Sequence, residues 1–455
     1  MSAAQTTAHQ DLAPTRDLAR WSSALAASQL PDNAVLWAKH ALLDWFGVTI
    51  AGSREDLAAP LLEEYGGKEG PVTLIALNAR AKAHDAALIN GTLSHALDYD
   101  DVNSHMGGHP TAPVAAAALS LGEALGKSGR DTLLAFIAGY EVECQLGAMG
   151  SRSHYEQGFH STGTIGTFGA TAAAARLLGL DAHQTAVAFG IAASEAAGLK
   201  HNFGTMTKPL HVGKAAMNGV MAARLAARGF TARDDAIEAP QGFASSQIPN
   251  FTPLPVRPDA SAPFEVEANL FKYHAACYLT HSTIEAIRDL KRRHNIGLGD
   301  VEKVTLKVDP GHLKVCDIPE PKTGLEIKFS IRHLAAMALG GEDTAALGTY
   351  SDEMANRPVY RDGSRRVTLE PRETPPEGRH GAAVALVLKD GRELLAETNV
   401  GMPASDAAAQ SEKLRAKFHS LAEPVIGRSR TGEALRLIER FETLESLKPL
   451  MTAVA

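Results

Sequence analysis

Apolar residues recur along the first half of the chain with the period of a helix. Over Asp32 to Gly52, Val35, Ala38, Leu42 and Trp45 fall on one face, with Asp32 placed to cap the start and Gly52 to end it. Similar periods run through 114–126, 130–148, 164–179, 183–198 and 211–228, so the helical pattern extends from Thr15 to about Arg228. Several of these stretches use the smallest side chains: Thr171 to Arg176 reads TAAAAR and Ile191 to Gly198 reads IAASEAAG. Alanine is the best helix former and small residues let helices approach closely, which predicts a tight all-helical domain. No internal period of about 20–50 residues marks a repeat.

The pattern changes after NFTPLPVRPDASAP, a stretch with four prolines between 250 and 263 that reads as a linker or long crossing loop. Beyond it, VEKVTLKV includes an alternating stretch among Val301, Val304, Leu306 and Val308, as in a strand. Ala382 to Leu388 and Arg392 to Thr398 flank Lys389-Asp390-Gly391, the pattern of a β-hairpin closed by an Asp-Gly turn. Helical stretches are expected near 276–294 and 327–339. After Gly401-Met402-Pro403 the helical period returns, with Ser405 or Asp406 as cap, and runs to about 445. The predicted fold class is mainly α. An all-helical domain is formed by both chain ends, 1–265 and 404–455, with an α+β domain inserted over 266–403.

Composition narrows the classes. The chain has 455 residues, 45% of them hydrophobic and 21% charged, which describes a globular protein rather than a disordered or collagenous one. Its net charge of −7 lacks the overall electrostatic footprint of a nucleic-acid binder. Cys144, Cys277 and Cys316 are widely spaced, so neither a disulfide framework nor a Cys-x-x-Cys zinc site is expected, and a reducing compartment fits. Met1 to Asp17 has no apolar core of a secretory signal, and no run of about 18 apolar residues suggests a membrane span. The expected location is cytoplasmic.

The 18 histidines are unevenly spread. From His95 to His109, the segment HALDYDDVNSHMGGH holds three imidazoles with Asp98, Asp100 and Asp101, and Pro110 follows. A polar loop of caps and turns would use the same residues. However, carboxylates beside imidazoles also orient the rings for acid–base work. His105 and His109 are four apart, as metal ligands on a helix would be, but Gly107 and Gly108 disfavour a helix there and no His-Glu-x-x-His occurs. A second cluster, His160-Ser161-Thr162-Gly163-Thr164, opens an Ala-rich helix. Capping by Ser161 or Thr162 explains it, and so does an anion held at a helix N-terminus. A third, Thr207-Lys208-Pro209-Leu210-His211-Val212-Gly213, puts Pro209 at the first helical position and Lys208 just before it, at the positive end of the dipole. Lys208 there either binds a carboxylate or serves as a base with a lowered pKa. Lys272-Tyr273-His274 with Cys277 and His281, and Lys328-Phe329-Ser330 with Arg332 and His333, add cationic side chains in the insert. Such a set suits a small molecule with two or three carboxylates. No dinucleotide fingerprint follows a strand, and no P-loop or nucleophile elbow is present. Proton transfer at a carbon next to a carboxylate is the chemistry that remains.

Taken together, D-Y-D-D…H-P, G-F-H-S-T…G-T-F-G, T-K-P-L-H-V-G and K-Y-x-x-x-C-x-x-x-H-S resemble the MmgE/PrpD family over nearly the whole chain, about 20 to 450. The family includes 2-methylcitrate dehydratase, cis-aconitate decarboxylase and iminodisuccinate epimerase. The resemblance implies a helical domain with an α+β lid, a homodimer and no cofactor. It places Asp98, His109, His160, Lys208 and His281 along the active-site cleft, with Lys272 as a substrate contact. The reading that follows makes Asp98, His109, His160 and Lys208 catalytic without a metal, with Lys272, His281, Arg332, His333 and Thr162 binding the substrate. Val102 stands where decarboxylase-like members carry Thr, and His333 where they carry Tyr. The reaction expected is dehydration, decarboxylation or epimerisation of a small polycarboxylate. Two other readings use the same residues: a metal-dependent hydratase or hydrolase built on Asp98, His105 and His109, and a non-catalytic carboxylate-binding protein. No nucleic-acid or membrane partner is expected.

Overall fold

The structure, a computed structural model, describes residues 12–67, 69–257, 259–372 and 380–455. The expectation about a secretory signal therefore rests largely on residues 1–11, outside the described residues. The chain forms two compact units, Met1–Phe271 with Ala408–Ala455, and Lys272–Ala407.

The first unit is helical. Its longer helices are α1 (Pro14–Ala24), α2 (Asp32–Gly52), α3 (Ala83–His95), α4 (Thr111–Leu125), α5 (Gly129–Ala148), α6 (Ser161–Leu178), α7 (Ala182–Glu195) and α8 (Thr207–Ala226). A two-stranded hairpin, β1 (Val72–Leu74) with β2 (Ala79–Ala81), lies between α2 and α3. The most extensive packing joins α8 to α6 and to α3. Small residues make this possible. A methyl group added at Gly213 of α8 would collide with the Leu88 carbonyl of α3, and one at Gly219 would stand 2.6 Å from the Ala170 backbone of α6. Near-contact of backbones maximises dispersion across the seam and leaves no room for a larger side chain.

In the second unit, α9 (His281–His294) and α10 (Ile331–Gly340) accompany a four-stranded sheet. Its strands are β3 (Val301–Val308), β4 (Val367–Pro371), β5 (Gly381–Leu388) and β6 (Glu393–Asn399), in the order β4-β3-β5-β6. β5 and β6 form the antiparallel hairpin expected around Asp390-Gly391, and β4 runs parallel to β3. Val304, Leu306, Val308, Val384 and Leu386 are buried in a core shared with Ile284, Ile287 and Leu290 of α9 and Leu334 of α10. The alternation from Val304 to Val308 is therefore a one-face burial pattern, after a register shift between Val301 and Lys303.

The chain returns to the first unit with α11 (Ala407–Ile426) and α12 (Arg428–Glu439). Lys417 of α11 makes a buried ion pair with Asp44 of α2 at 2.6 Å and donates to the Tyr99 carbonyl at 2.8 Å. Its ammonium also lies 3.9 Å from the Tyr99 ring centre.

Several local expectations are corrected. Asp32 is the first residue of α2 rather than its cap. Pro31, with φ −69° and ψ 152°, takes the extended cap position that its ring favours. The single helix expected after Pro403 is two, broken where Gly427 adopts φ +81°. α9 starts at His281 rather than near 276, because 278–280 form a 3-10 turn. α10 starts at Ile331, with the Ser330 hydroxyl capping the His333 N–H at 3.4 Å. Among the described residues, no helix is long and apolar enough to cross a membrane.

Gly213→Ala is expected to destabilise the protein by about 1–3 kcal/mol through overpacking at the α3–α8 crossing. Thermal and urea unfolding check this. A control substitution, Gly229→Ala, has open space around its Cβ and tests the backbone effect of a positive φ alone.

Candidate active site

The site grows from the end of α3. His95 is its last residue, and the chain then turns so that Asp98 adopts φ +51°, a left-handed conformation uncommon for a residue with a side chain. The turn brings Asp98 and Asp100 back beside the helix end. Tyr99, between them, is held through its carbonyl by Lys417.

Asp100 is buried and lies between two imidazoles. His95 Nδ1 is 2.9 Å from its Oδ2, and His109 Nδ1 is 3.2 Å from the same oxygen. Burial alone would raise the Asp100 pKa, but His109 and His95 outweigh it and hold the carboxyl well below the usual range. Burial pulls His95 down to about 4, against the attraction of Asp100, so its ring is neutral near pH 7 and donates Nδ1–H to the carboxylate. The buried His95 Nε2 has no hydrogen-bond partner among the described residues. The adjoining Asp101 behaves differently. Burial, with Asp44 nearby, pushes it up to about 7, while Thr111 and Asn269 donate to it.

A more accessible row lies beside this buried one. Lys208 Nζ is 2.6 Å from Asp98 Oδ1, and His109 Nε2 is 3.6 Å from the same oxygen. Side-chain exposures of 28% for Asp98, 17% for Lys208 and 13% for His109 contrast with 0% for His95 and 2% for Asp100. The His95 ring centre is 4.5 Å from that of His109 and 5.6 Å from that of His160. The Phe203 ring meets His160 edge-on at 5.0 Å and lies 5.2 Å from the Lys208 ammonium. Burial, reinforced by His95, Lys208, His109 and His211, holds His160 well below the ordinary histidine range. Asp98, His109, His160 and Lys208, far apart in sequence, therefore share one neighbourhood: a carboxylate, an ammonium and a neutral imidazole, with a second ring between two carboxylates.

The helix starts differ from expectation. α8 begins at Thr207, so Lys208 is its second residue and Pro209 its third. Within the first turn a proline lacks only an N–H that has no intrahelical partner, so the helix extends past it. α6 has His160 in the cap position with no side-chain cap. The Thr162 hydroxyl instead accepts the backbone N–H of His109 at 3.1 Å, tying α6 to the His109 loop. His105 is exposed and bonds Glu265 at 2.9 Å, so it takes no part in this cluster. Among the described residues, the set of groups able to meet at one ion is His95, Asp98, Asp100 and His109, whose donor atoms lie within 4.8 Å of one another.

In the second unit, Lys272 and His281 are buried. His281 Nε2 lies 3.2 Å from the Ala276 carbonyl, and its ring packs against His274 and Tyr278. Arg332 Nε donates to Asp317 at 2.7 Å. His333 is buried, with Nε2 3.3 Å from the Met354 carbonyl, and burial lowers its pKa. Asp100, His95 and His211 join the site without being among the residues expected there. The first two lie within the segment already marked by its imidazoles and carboxylates. His211 carries the weaker signal of standing three residues after Lys208 on one helix, hence on the same face.

Family models for the MmgE/PrpD N-terminal domain and the MmgE/PrpD C-terminal domain match residues 16–253 and 274–443. The chain belongs to the MmgE/PrpD family. It is similar to the cis-aconitate decarboxylases of Homo sapiens and Mus musculus, each 26% identical over 94% and 96% of this chain and 92% of the relative. The cis-aconitate decarboxylase of Aspergillus terreus is likewise 26% identical, over 96% of this chain and 95% of the relative. Every residue of the Asp98–Lys208 cluster in this MmgE/PrpD member falls within the segment matched by the N-terminal model.

His160 is expected to stay neutral throughout the range above pH 6.5 and to gain its proton only below it, because its folded-state pKa is depressed. A ¹⁵N NMR titration, with the His160 signal identified by its loss in His160→Gln, checks this.

Proposed function

We propose that this protein is a lyase or isomerase that moves a proton at a carbon next to a carboxylate of a small di- or tricarboxylate, with no cofactor. The observation that carries the reading is the meeting of Lys208, Asp98, His109 and neutral His160 in one cluster, in a chain similar over more than nine-tenths of its length to enzymes named cis-aconitate decarboxylase. A lyase acting on a small carboxylate is the class those names support. Whether a proton is removed or delivered first, the reacting carbon carries developing negative charge that its neighbouring carboxylate shares as an enediolate. Lys208 is the cation placed to hold that charge or to exchange the proton. Neutral at pH 7, His160 offers a ring nitrogen that takes a proton from the substrate only transiently, during turnover. His109, with a carboxylate at each ring nitrogen, is placed to hold one and return it. Asp98 orients both Lys208 and His109. The buried Asp100 holds His109 and His95 in place. In this proposal Lys272, His281, Arg332 and His333 contact substrate carboxylates, Thr162 lies against the substrate, and the active form is a cytoplasmic homodimer.

The decisive experiment incubates the protein in heavy water with cis-aconitate, methylcitrate, citrate and iminodisuccinate and follows carbon-bound hydrogen by NMR. A new vinyl signal marks a lyase, and exchange without net reaction marks an epimerase. Measurable binding with neither outcome on any compound overturns the catalytic reading and leaves a carboxylate-binding protein. Lys208→Ala is expected to lower kcat by about 10²–10⁴-fold while far-UV circular dichroism stays unchanged. Turnover near the wild-type rate would remove Lys208 from the chemistry.

A second reading is favoured by one observation, the close approach of donor atoms from His95, Asp98, Asp100 and His109. Two imidazoles and two carboxylates suit a divalent transition metal. The Lys208 ammonium already neutralises Asp98 at 2.6 Å, which favours the metal-free form. Activity is therefore expected to survive dialysis against a chelator. Loss of activity on chelation, restored by zinc, iron or manganese, would transfer the proposal to the metal reading.

A further inference from the structure

His160 and His211 face each other through like nitrogens. Their Nδ1 atoms are 3.2 Å apart and their ring centres 5.4 Å apart. Both rings are buried, and burial lowers both pKa values, so both are neutral near pH 7. A neutral imidazole carries one N–H and one lone pair. At this separation one Nδ1 must donate and the other accept, since two facing hydrogens or two facing lone pairs repel. Each ring's tautomer is therefore tied to the other's.

The seat of His211 is closely fitted. A methyl group at Gly163 of α6 would stand 2.9 Å from its Cβ, and one at Gly198 would stand 3.3 Å from its Cγ and 3.4 Å from its Nδ1. The Gly198 carbonyl also accepts the His160 backbone N–H at 3.0 Å. The same glycine thus fixes the backbone of one ring and borders the face of the other. His211 stands one helical turn beyond Lys208 on α8, so a single turn supplies both the ammonium at Asp98 and the imidazole at His160.

We infer that His211 is a positioning residue that locks His160 in one tautomer and so fixes whether His160 Nε2 presents a lone pair or a proton. The coupling of the two tautomers follows from the paired rings. Its effect on turnover rests on the function proposed above.

The test uses the full chain labelled with ¹⁵N-histidine, with His160 identified by the signal lost in His160→Gln. In the wild type, its two nitrogens are expected to show the well-separated shifts of a single tautomer. In His211→Phe, which keeps a planar ring but no nitrogen, the two shifts are expected to converge toward a tautomer average. In His211→Asn, whose amide offers a hydrogen-bonding atom near the Nδ1 position, the separation is expected to return at least in part. With cis-aconitate as substrate, His211→Phe should lose about 10–100-fold in kcat with KM within about threefold, and His211→Asn should recover part of it. Averaged shifts in the wild type, or unchanged shifts in His211→Phe, would overturn the inference. Should His211→Phe fail to fold, His211→Ala replaces it, with the same convergence expected and unchanged shifts overturning the inference. If the wild-type protein acts on none of the carboxylates, the proposed reaction fails and the nitrogen shifts judge the tautomer lock alone.

Discussion

A buried carboxylate is the constraint around which the site is built. Asp100 has almost no contact with water, and an isolated ion there would be costly enough to be neutralised instead. Two imidazoles prevent this by turning Nδ1 toward it. The arrangement serves both sides. The carboxylate keeps its charge, and each ring is fixed in orientation and, for His95, in tautomer. Because His109 also reaches toward Asp98, and Asp98 toward Lys208, the order imposed at Asp100 passes outward to the accessible groups.

The helices around this centre approach one another closely because their contact residues are small. Gly213 lets α8 lie against α3, whose last residue is His95, and the same helix carries Lys208 and His211. A looser packing of α8 would move both side chains relative to His95 and Asp100. The alanine and glycine content, which on its own predicts only a compact bundle, thus also sets distances within the site.

Much of the fold was legible in the chain. VEKVTLKV forms the strand its alternating stretch predicts, and the Asp390-Gly391 turn closes the hairpin. The period over 211–228 marks most of α8. What escaped has physical causes. α3 contains Asn90, Gly91 and Thr92, poor helix formers held in place by tertiary packing, and β4 is a short strand that joins the sheet by parallel pairing to a distant partner. At the site, the residue types pointed to acid–base chemistry, and the resemblance to the MmgE/PrpD family pointed to Asp98, His109, His160 and Lys208. They did not indicate that Asp100 would be the buried anchor, or that His211 would meet His160 nitrogen to nitrogen. Those facts depend on which side of a turn or helix faces inward, and the left-handed turn at Asp98 is not legible in residue types.

Lys417 adds a consequence in time. It grips the Tyr99 carbonyl between the two key aspartates and is itself held by Asp44. During synthesis the ribosome must add more than three hundred residues after Tyr99 before that ammonium exists. The N-terminal helices can collapse earlier, as domains commonly do while the chain emerges. The nascent protein therefore acquires its helical shell first. Its Asp98–Asp100 turn gains this fastening only once Lys417 has been added, so the turn stays without it long after its own residues are made.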